Sequence, residues 1–336
     1  MVRRMNVITL AALAAAMLSL TACERTITRV ETVSPPLACA DCHVANNLIT
    51  GKQTQWAESG HGTGEAYASE GTRASCAGCH SGNAFQGMIA DGLAPNQLTA
   101  GDTDPTRQDC RACHMIHETY TMGDFALRTT SPVSFYAIAG TTYDGGEGNL
   151  CVNCHQPRRN APVAVNGTIS GISEHWGPHH GPQSSMLLGV GGAGVTGSVH
   201  GHYGGVENTC VGCHMGQGLN HTFEPSVAAC TPCHTGATNF NINGRQTEIR
   251  ALTDQLGDLL LAAGLIDQNN EDGHPIVTSA PEDQGIALWN WIYVAHEDKS
   301  DGVHNYAYAK ALLEEGIARM SAPAAVPGVP VARASH

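Results

Sequence analysis

Twelve of the thirteen cysteines fall in six copies of one pattern, Cys-x-x-Cys-His. The copies are Cys39, Cys42 and His43; Cys76, Cys79 and His80; Cys110, Cys113 and His114; Cys151, Cys154 and His155; Cys210, Cys213 and His214; and Cys230, Cys233 and His234. Two thiols three residues apart, followed at once by an imidazole, can form thioethers to the vinyl groups of a haem and bind its iron from one face. A disulfide framework requires no histidine after each second cysteine. Structural zinc sites close a tetrahedron from Cys and His side chains and require none there either. Six copies with no stray cysteine between them predict six covalently held c-type haems, each with its iron.

Each iron has a second face to fill. Of 18 histidines, the motifs use six and His336 lies in the C-terminal tail, which leaves eleven candidates. Methionine is the competing ligand, but three of the 9, Met1, Met5 and Met17, sit in the first twenty-two residues. Six irons held by histidine on both faces are therefore expected. His117 lies three residues past His114, on the same side of a helical turn. It cannot reach the far face of that iron and is assigned to a neighbouring one. His61 follows Trp56 in WAESGH, His200 ends Gly-Ser-Val-His ten residues before Cys210, and His221 lies between the last two motifs. Of the adjacent pair His179 and His180 in GPHHGPQ, one is read as a ligand and the other as lining, with His180 taken as the ligand. His304 in Gly-Val-His-Asn completes the set. His175, His202, His274 and His296 are read as surface residues or neighbours of the site.

The elements that must position these groups divide the chain. Residues 1–22 combine Arg3 and Arg4 with the apolar run Val7 to Leu20, too short and too alanine-rich for a membrane span. This segment ends Leu20-Thr21-Ala22-Cys23, which resembles the bacterial lipobox. The resemblance implies cleavage before Cys23 and a membrane anchor of lipid on that cysteine, with Glu24 compatible with the outer membrane. Two lipid chains suffice for stable anchoring. Residues 23–38, with Pro35-Pro36 and no helical period, read as a lipidated tether. Residues 39–240 carry all six motifs and read as a loop-rich hexahaem domain with little regular secondary structure.

Residues 241–320 change character and read as a helical segment packed on that domain. Ile249, Leu252, Leu256, Leu259, Leu260 and Ala263 mark one helix, about Glu282 to Asp298 a second, and a third starts after Asn305 as its N-cap. Residues 321–336 are Ala/Pro/Val-rich and read as a disordered tail. With 5% aromatic residues and short apolar runs, porphyrin faces are expected to form the core. The run Gly-Val-Gly-Gly-Ala-Gly from Gly189 is expected to let backbone approach flat rings. The fold class is thus mostly α with large irregular loop-rich regions and a helical C-terminal segment. Net charge is −13, and losing Arg3 and Arg4 with the leader makes it −15. Such acidity argues against nucleic acid as a partner.

The stretches HHGPQSSMLLG, SVHG ahead of CVGCHM, NHTFEP ahead of CTPCH, ALWNWIYV and DGVHNYAYAKALLEEGI are similar to the multihaem cytochrome c superfamily. That group includes ammonia-forming nitrite reductases, octahaem reductases and outer-membrane electron-transfer cytochromes. The likeness spans roughly residues 145–320, and by it the His of the His304-Asn305 pair is a haem ligand. One departure bears on function. Nitrite reductases of the group carry their open iron on Cys-x-x-Cys-Lys, whereas Lys52, Lys299 and Lys310, the only lysines, follow no cysteine pair. No catalytic residue carries over.

Irons with histidine on both faces have no position for a substrate, so a non-catalytic electron conduit is expected. The lipoprotein start resembles outer-membrane and extracellular cytochromes of metal-reducing bacteria, which implies outer-membrane or extracellular anaerobic respiration. The conduit's partners would be redox proteins or an extracellular electron acceptor. The alternative is an oxidoreductase of small nitrogen or sulfur oxyanions with one open haem. A third reading is a subunit that polymerises into a haem filament.

Overall fold

The computed structural model describes residues 47–179, 181–216, 218–267 and 273–322, all within the unit Leu37–His336. The expected leader 1–22, Cys23 with its tether, the motif Cys39, Cys42 and His43, His180, and the tail from 323 lie outside the described residues.

The motif half is more helical than its composition suggests. Helices α1 (Asn47–Glu58), α2 (Ala74–His80), α3 (Gly82–Ala90) and α4 (Gln183–Leu188) form there, alongside single turns at Cys110–Cys113 and Cys210–His214. The motif itself nucleates the turns, because cysteines at i and i+3 with histidine at i+4 share one helical face. The backbone N–H of His114 donates to the Cys110 carbonyl at 2.9 Å, His155 to Cys151 at 2.9 Å and His234 to Cys230 at 2.8 Å. Side-chain caps start α3 and the turn at Cys110–Cys113. Ser81 accepts from the Ala84 N–H at the head of α3, and Asp109 accepts from the Arg111 N–H at 2.9 Å. Among the described residues before 240, no helix exceeds the 12 residues of α1. The sheets are two short antiparallel ladders, β1 (Val133–Ser134) with β2 (Thr142–Tyr143), and β3 (Thr168–Ser170) with β4 (Ser279–Pro281).

Three longer helices close the unit. In α5 (Arg245–Ala262), Ile249, Leu256 and Leu260 are buried on one stripe, with Leu252 packed beside them. Gly264, at φ +69°, ends the helix, and the Leu265 N–H returns to the Leu260 carbonyl at 3.0 Å, a left-handed C-terminal stop. Helix α6 (Glu282–Trp291) starts on exposed Glu282 and Asp283 and half-buried Gln284, and is buried from Gly285 to Trp291. The expectation of one α-helix to Asp298 is corrected. Ile292–Asp298 widens into a π-helix, closed by the Lys299 N–H on the Val294 carbonyl. In α7 (Tyr306–Ser321), Asn305 caps the start by accepting the Tyr308 N–H at 3.2 Å. The helix reaches one residue into the segment expected as tail.

These helices correct two further expectations. The C-terminal half buries a conventional core of Ile169, Trp176, Met186, Leu256, Trp289 and Leu312, among others, so porphyrin faces are not needed as its filling. The glycine run serves this core. A Cβ on Gly192 would strike Leu312 and Tyr308, and one on Gly197 would strike the Gly189 carbonyl and Tyr308. The strap is pinned by Asn290, whose side-chain amide donates to the Ala193 and Leu312 carbonyls and whose oxygen accepts the Ala193 N–H at 2.8 Å. Asn290→Ala strands the Ala193 N–H and carbonyl in the interior and is expected to cost about 2 kcal/mol or more, read by denaturant unfolding.

Candidate functional site

One cavity of about 1820 Å³ runs through the motif half, and all ten described motif cysteines line it. All ten are free thiols. Cys79 and Cys154 lie close enough for each thiol to shift the other's pKa, as do Cys151 and Cys210. The attachment points of neighbouring motifs therefore adjoin, with the fourth motif between the second and the fifth.

Histidines cross this cavity in pairs. His61 with His155, His80 with His179, His114 with His221, His202 with His234, and His214 with His304 each have ring centres 6.2 Å apart. Every pair joins one motif histidine to one from elsewhere. An imidazole nitrogen sits about 2.0–2.1 Å from a metal it binds, so rings facing one ion from opposite sides have centres about 6 Å apart. Simple packing would scatter the separations over roughly 4.5–7 Å. The same value at five motif histidines fits a common object between the rings; His175 and His274, neither in a motif, also lie 6.1 Å apart outside this cavity. Among the described residues no group of three His, Cys, Asp or Glu could hold a bare metal ion. Two facing imidazoles lack the four-ligand shell of a structural metal site, and a porphyrin supplies the remaining donors in its own plane. The paired rings, the thiols and the continuous cavity fit c-type haem.

The orientation of the rings agrees. The Nδ1–H of His114 donates to the Phe125 carbonyl at 2.7 Å, His214 to Phe223 at 2.8 Å, His221 to Leu219 at 2.7 Å and His202 to Val303 at 3.1 Å. His155 donates to the Gln183 side-chain oxygen at 3.0 Å, and His304 to Asp298 at 2.7 Å. Each bond fixes the tautomer and frees Nε2 to bind metal. Burial, then the charge of His155, pushes His61 down to about 4, and burial first also lowers His202, His214 and His221. These rings are neutral at pH 7, the form that donates a lone pair. Burial works the same way on His304, but the Asp298 carboxylate outweighs it and holds that ring above its ordinary value.

Two loops gather several of these groups. In 219–223, Leu219 accepts from His221, Phe223 accepts from His214, and the Phe223 ring packs 5.0 Å from that of His61. Lys52 in α1 holds this loop by donating to the Gly218 and Leu219 carbonyls. At the start of α7, His304 faces His214 while the adjacent Val303 accepts from His202.

Of the distal candidates, His61, His221 and His304 stand opposite motif histidines. His200 does not, and this is a correction. It heads the turn Gly201–Gly205, where its Nδ1 accepts the His202 N–H at 3.3 Å. That bond ties its ring to the backbone, while the turn carries His202 to His234. The two rings lie 4.4 Å apart, and a second histidine two residues on was the available signal. His179, at φ +77°, faces His80; its neighbour His180 is not among the described residues. His117 lines the cavity with its ring stacked 5.7 Å from Tyr120. The five described motif histidines face other rings, and the first motif, the one remaining for His117, is undescribed.

The described residues superpose on the outer cell wall cytochrome OcwA with a TM-score of 0.51 and 22% identity, covering 80% of this chain and 50% of that one. A second similar structure, an undecahaem cytochrome from the S-layer of Carboxydothermus ferrireducens, has a TM-score of 0.43 and 18% identity, over 74% of this chain and 38% of that one. The chain thus spans half the length of OcwA. No family model and no curated protein matches it. The likeness to OcwA establishes the fold.

Proposed function

Taking the multihaem cytochrome fold as the premise, we propose that this chain carries six c-type haems and passes electrons among them. The observation that supports the reading is the five histidine pairs at one separation in one cavity. Haem iron, when bound, supplies a one-electron couple. The cysteines would tie each porphyrin to the chain, and motif and distal histidines would hold its iron from both sides, leaving no vacancy for a substrate. Hydrogen bonds on Nδ1 hold the rings before and after electron transfer, so little has to reorganise. His117 is the ligand we assign to the haem of the first motif.

We place the protein at the cell surface, as OcwA's description as an outer cell wall cytochrome suggests for this fold. Anchored by lipid on Cys23, it would exchange electrons with redox proteins or with an extracellular acceptor.

Intact-protein mass spectrometry is expected to read the processed chain plus six haems. Every iron is expected to be low-spin and unreactive to carbon monoxide; prompt binding at one haem would turn the reading to a reductase with an open site. The electron paramagnetic resonance spectrum should divide by ring angle. His114–His221 and His214–His304, at 25° and 34°, predict rhombic signals. The pairs at 66°, 65° and 87° predict signals with a larger principal g value. A spectrum with one rhombic species alone overturns the pairings.

A further inference from the structure

His304 differs in what holds its Nδ1–H from the five other paired rings whose Nδ1 bonds are described. His114, His214, His221 and His202 donate to peptide carbonyls and His155 to an amide oxygen, all neutral acceptors. His304 donates to Oδ1 of Asp298 at 2.7 Å, and that carboxylate has no solvent exposure. The arrangement is built rather than incidental. The π-helix ends at Asp298 and delivers it under the ring. Ser300 donates its N–H to Oδ2 at 3.3 Å and its hydroxyl to the same oxygen, while its Oγ accepts the His304 N–H at 3.2 Å. Both carboxylate oxygens and both ends of the seven-residue segment Asp298–His304 are fixed.

A carboxylate accepting from a bound imidazole makes that ring a stronger donor. Its buried negative charge also favours the more positive, oxidised iron. Hydrogen bonding around an axial ligand is one of the levers by which a protein sets a haem potential. We propose that Asp298 is a positioning residue that makes the haem between His214 and His304 more reducing than haems whose histidines donate only to neutral acceptors. This rests on the reading of His304 as an axial ligand.

The test is a spectroelectrochemical titration of purified holoprotein. In Asp298→Asn, one of the six one-electron components should move to a more positive potential, with haem content and low-spin spectra unchanged. Ser300→Ala removes a donor that drains charge from Oδ2, so the same component should move the opposite way. Titrations that superimpose on wild type, or two variants shifting in the same direction, overturn the proposal. Should Asp298→Asn lose haem, the direction of the Ser300→Ala shift decides alone. His304→Ala separates the two levels of argument. If it creates no carbon monoxide-binding iron, the reading of His304 as a ligand has failed. If it creates one and the other variants do not shift, only the role of Asp298 has failed.

Discussion

His202→Ala is expected to turn one haem of six from inert to carbon monoxide-binding, whereas His200→Ala opens none. The two histidines lie two residues apart with rings 4.4 Å from one another, so composition and local sequence hardly distinguish them. Their surroundings do. His200 spends its Nδ1 on the N–H of His202 at the head of the turn Gly201–Gly205. His202 points its Nδ1–H at the Val303 carbonyl and faces His234 across 6.2 Å. Removing the His202 ring leaves Cys230, Cys233 and His234 to keep the haem covalently attached and bound on one face, so the haem stays and the far position empties. The reduced holoprotein plus carbon monoxide gives the difference spectrum that reads this, with total haem as the internal standard. If His200→Ala is the variant that opens, the turn at Gly201–Gly205 presents the other ring, and the histidine marked by its sequence position is the ligand after all.

What was legible in the sequence follows from the range of the physics. The motif is covalent chemistry confined to five residues, and its helical spacing needs no tertiary partner. The three C-terminal helices were legible too, since Ile249, Leu256 and Leu260 repeat at helical intervals and Asn305 stands where a cap is needed. Distal ligands are different. His221 meets His114 across 107 positions and His214 meets His304 across ninety, and no local pattern carries such a pairing. The likeness of DGVHNYAYAKALLEEGI to a known family pointed to His304, while His200 was chosen on proximity to a motif and His202 was passed over. The widening of the helix after Trp291 to a π-helix over Ile292–Asp298 had no signature in the sequence. The glycine run was misread for a related reason. Gly192 and Gly197 do permit close approach, but to Tyr308 and Leu312, and sequence alone does not name the partner.

Removing the haem of the fourth motif is expected to divide the electron path. Cys154 lies near Cys79 of the second motif and Cys151 near Cys210 of the fifth, so a haem on the fourth motif would stand between the two sides. With Cys151→Ala and Cys154→Ala together, mass spectrometry should lose one haem increment. Reduction by a rapid-mixing donor should then split into a fast phase and a slow one, where wild type fills all haems in a single phase. Local damage offers a competing explanation, because Leu150 and Val152 on either side of Cys151 are buried in two small clusters. His61→Ala provides the control. It removes the ring facing His155 yet keeps both thioethers, so the fourth haem becomes open to carbon monoxide while remaining in line between its neighbours. Conduction should continue in that variant and fail in the double cysteine variant. Equal rates in all three would mean that electrons bypass the fourth motif, and the order of haems inferred from adjoining thiols would have to be redrawn.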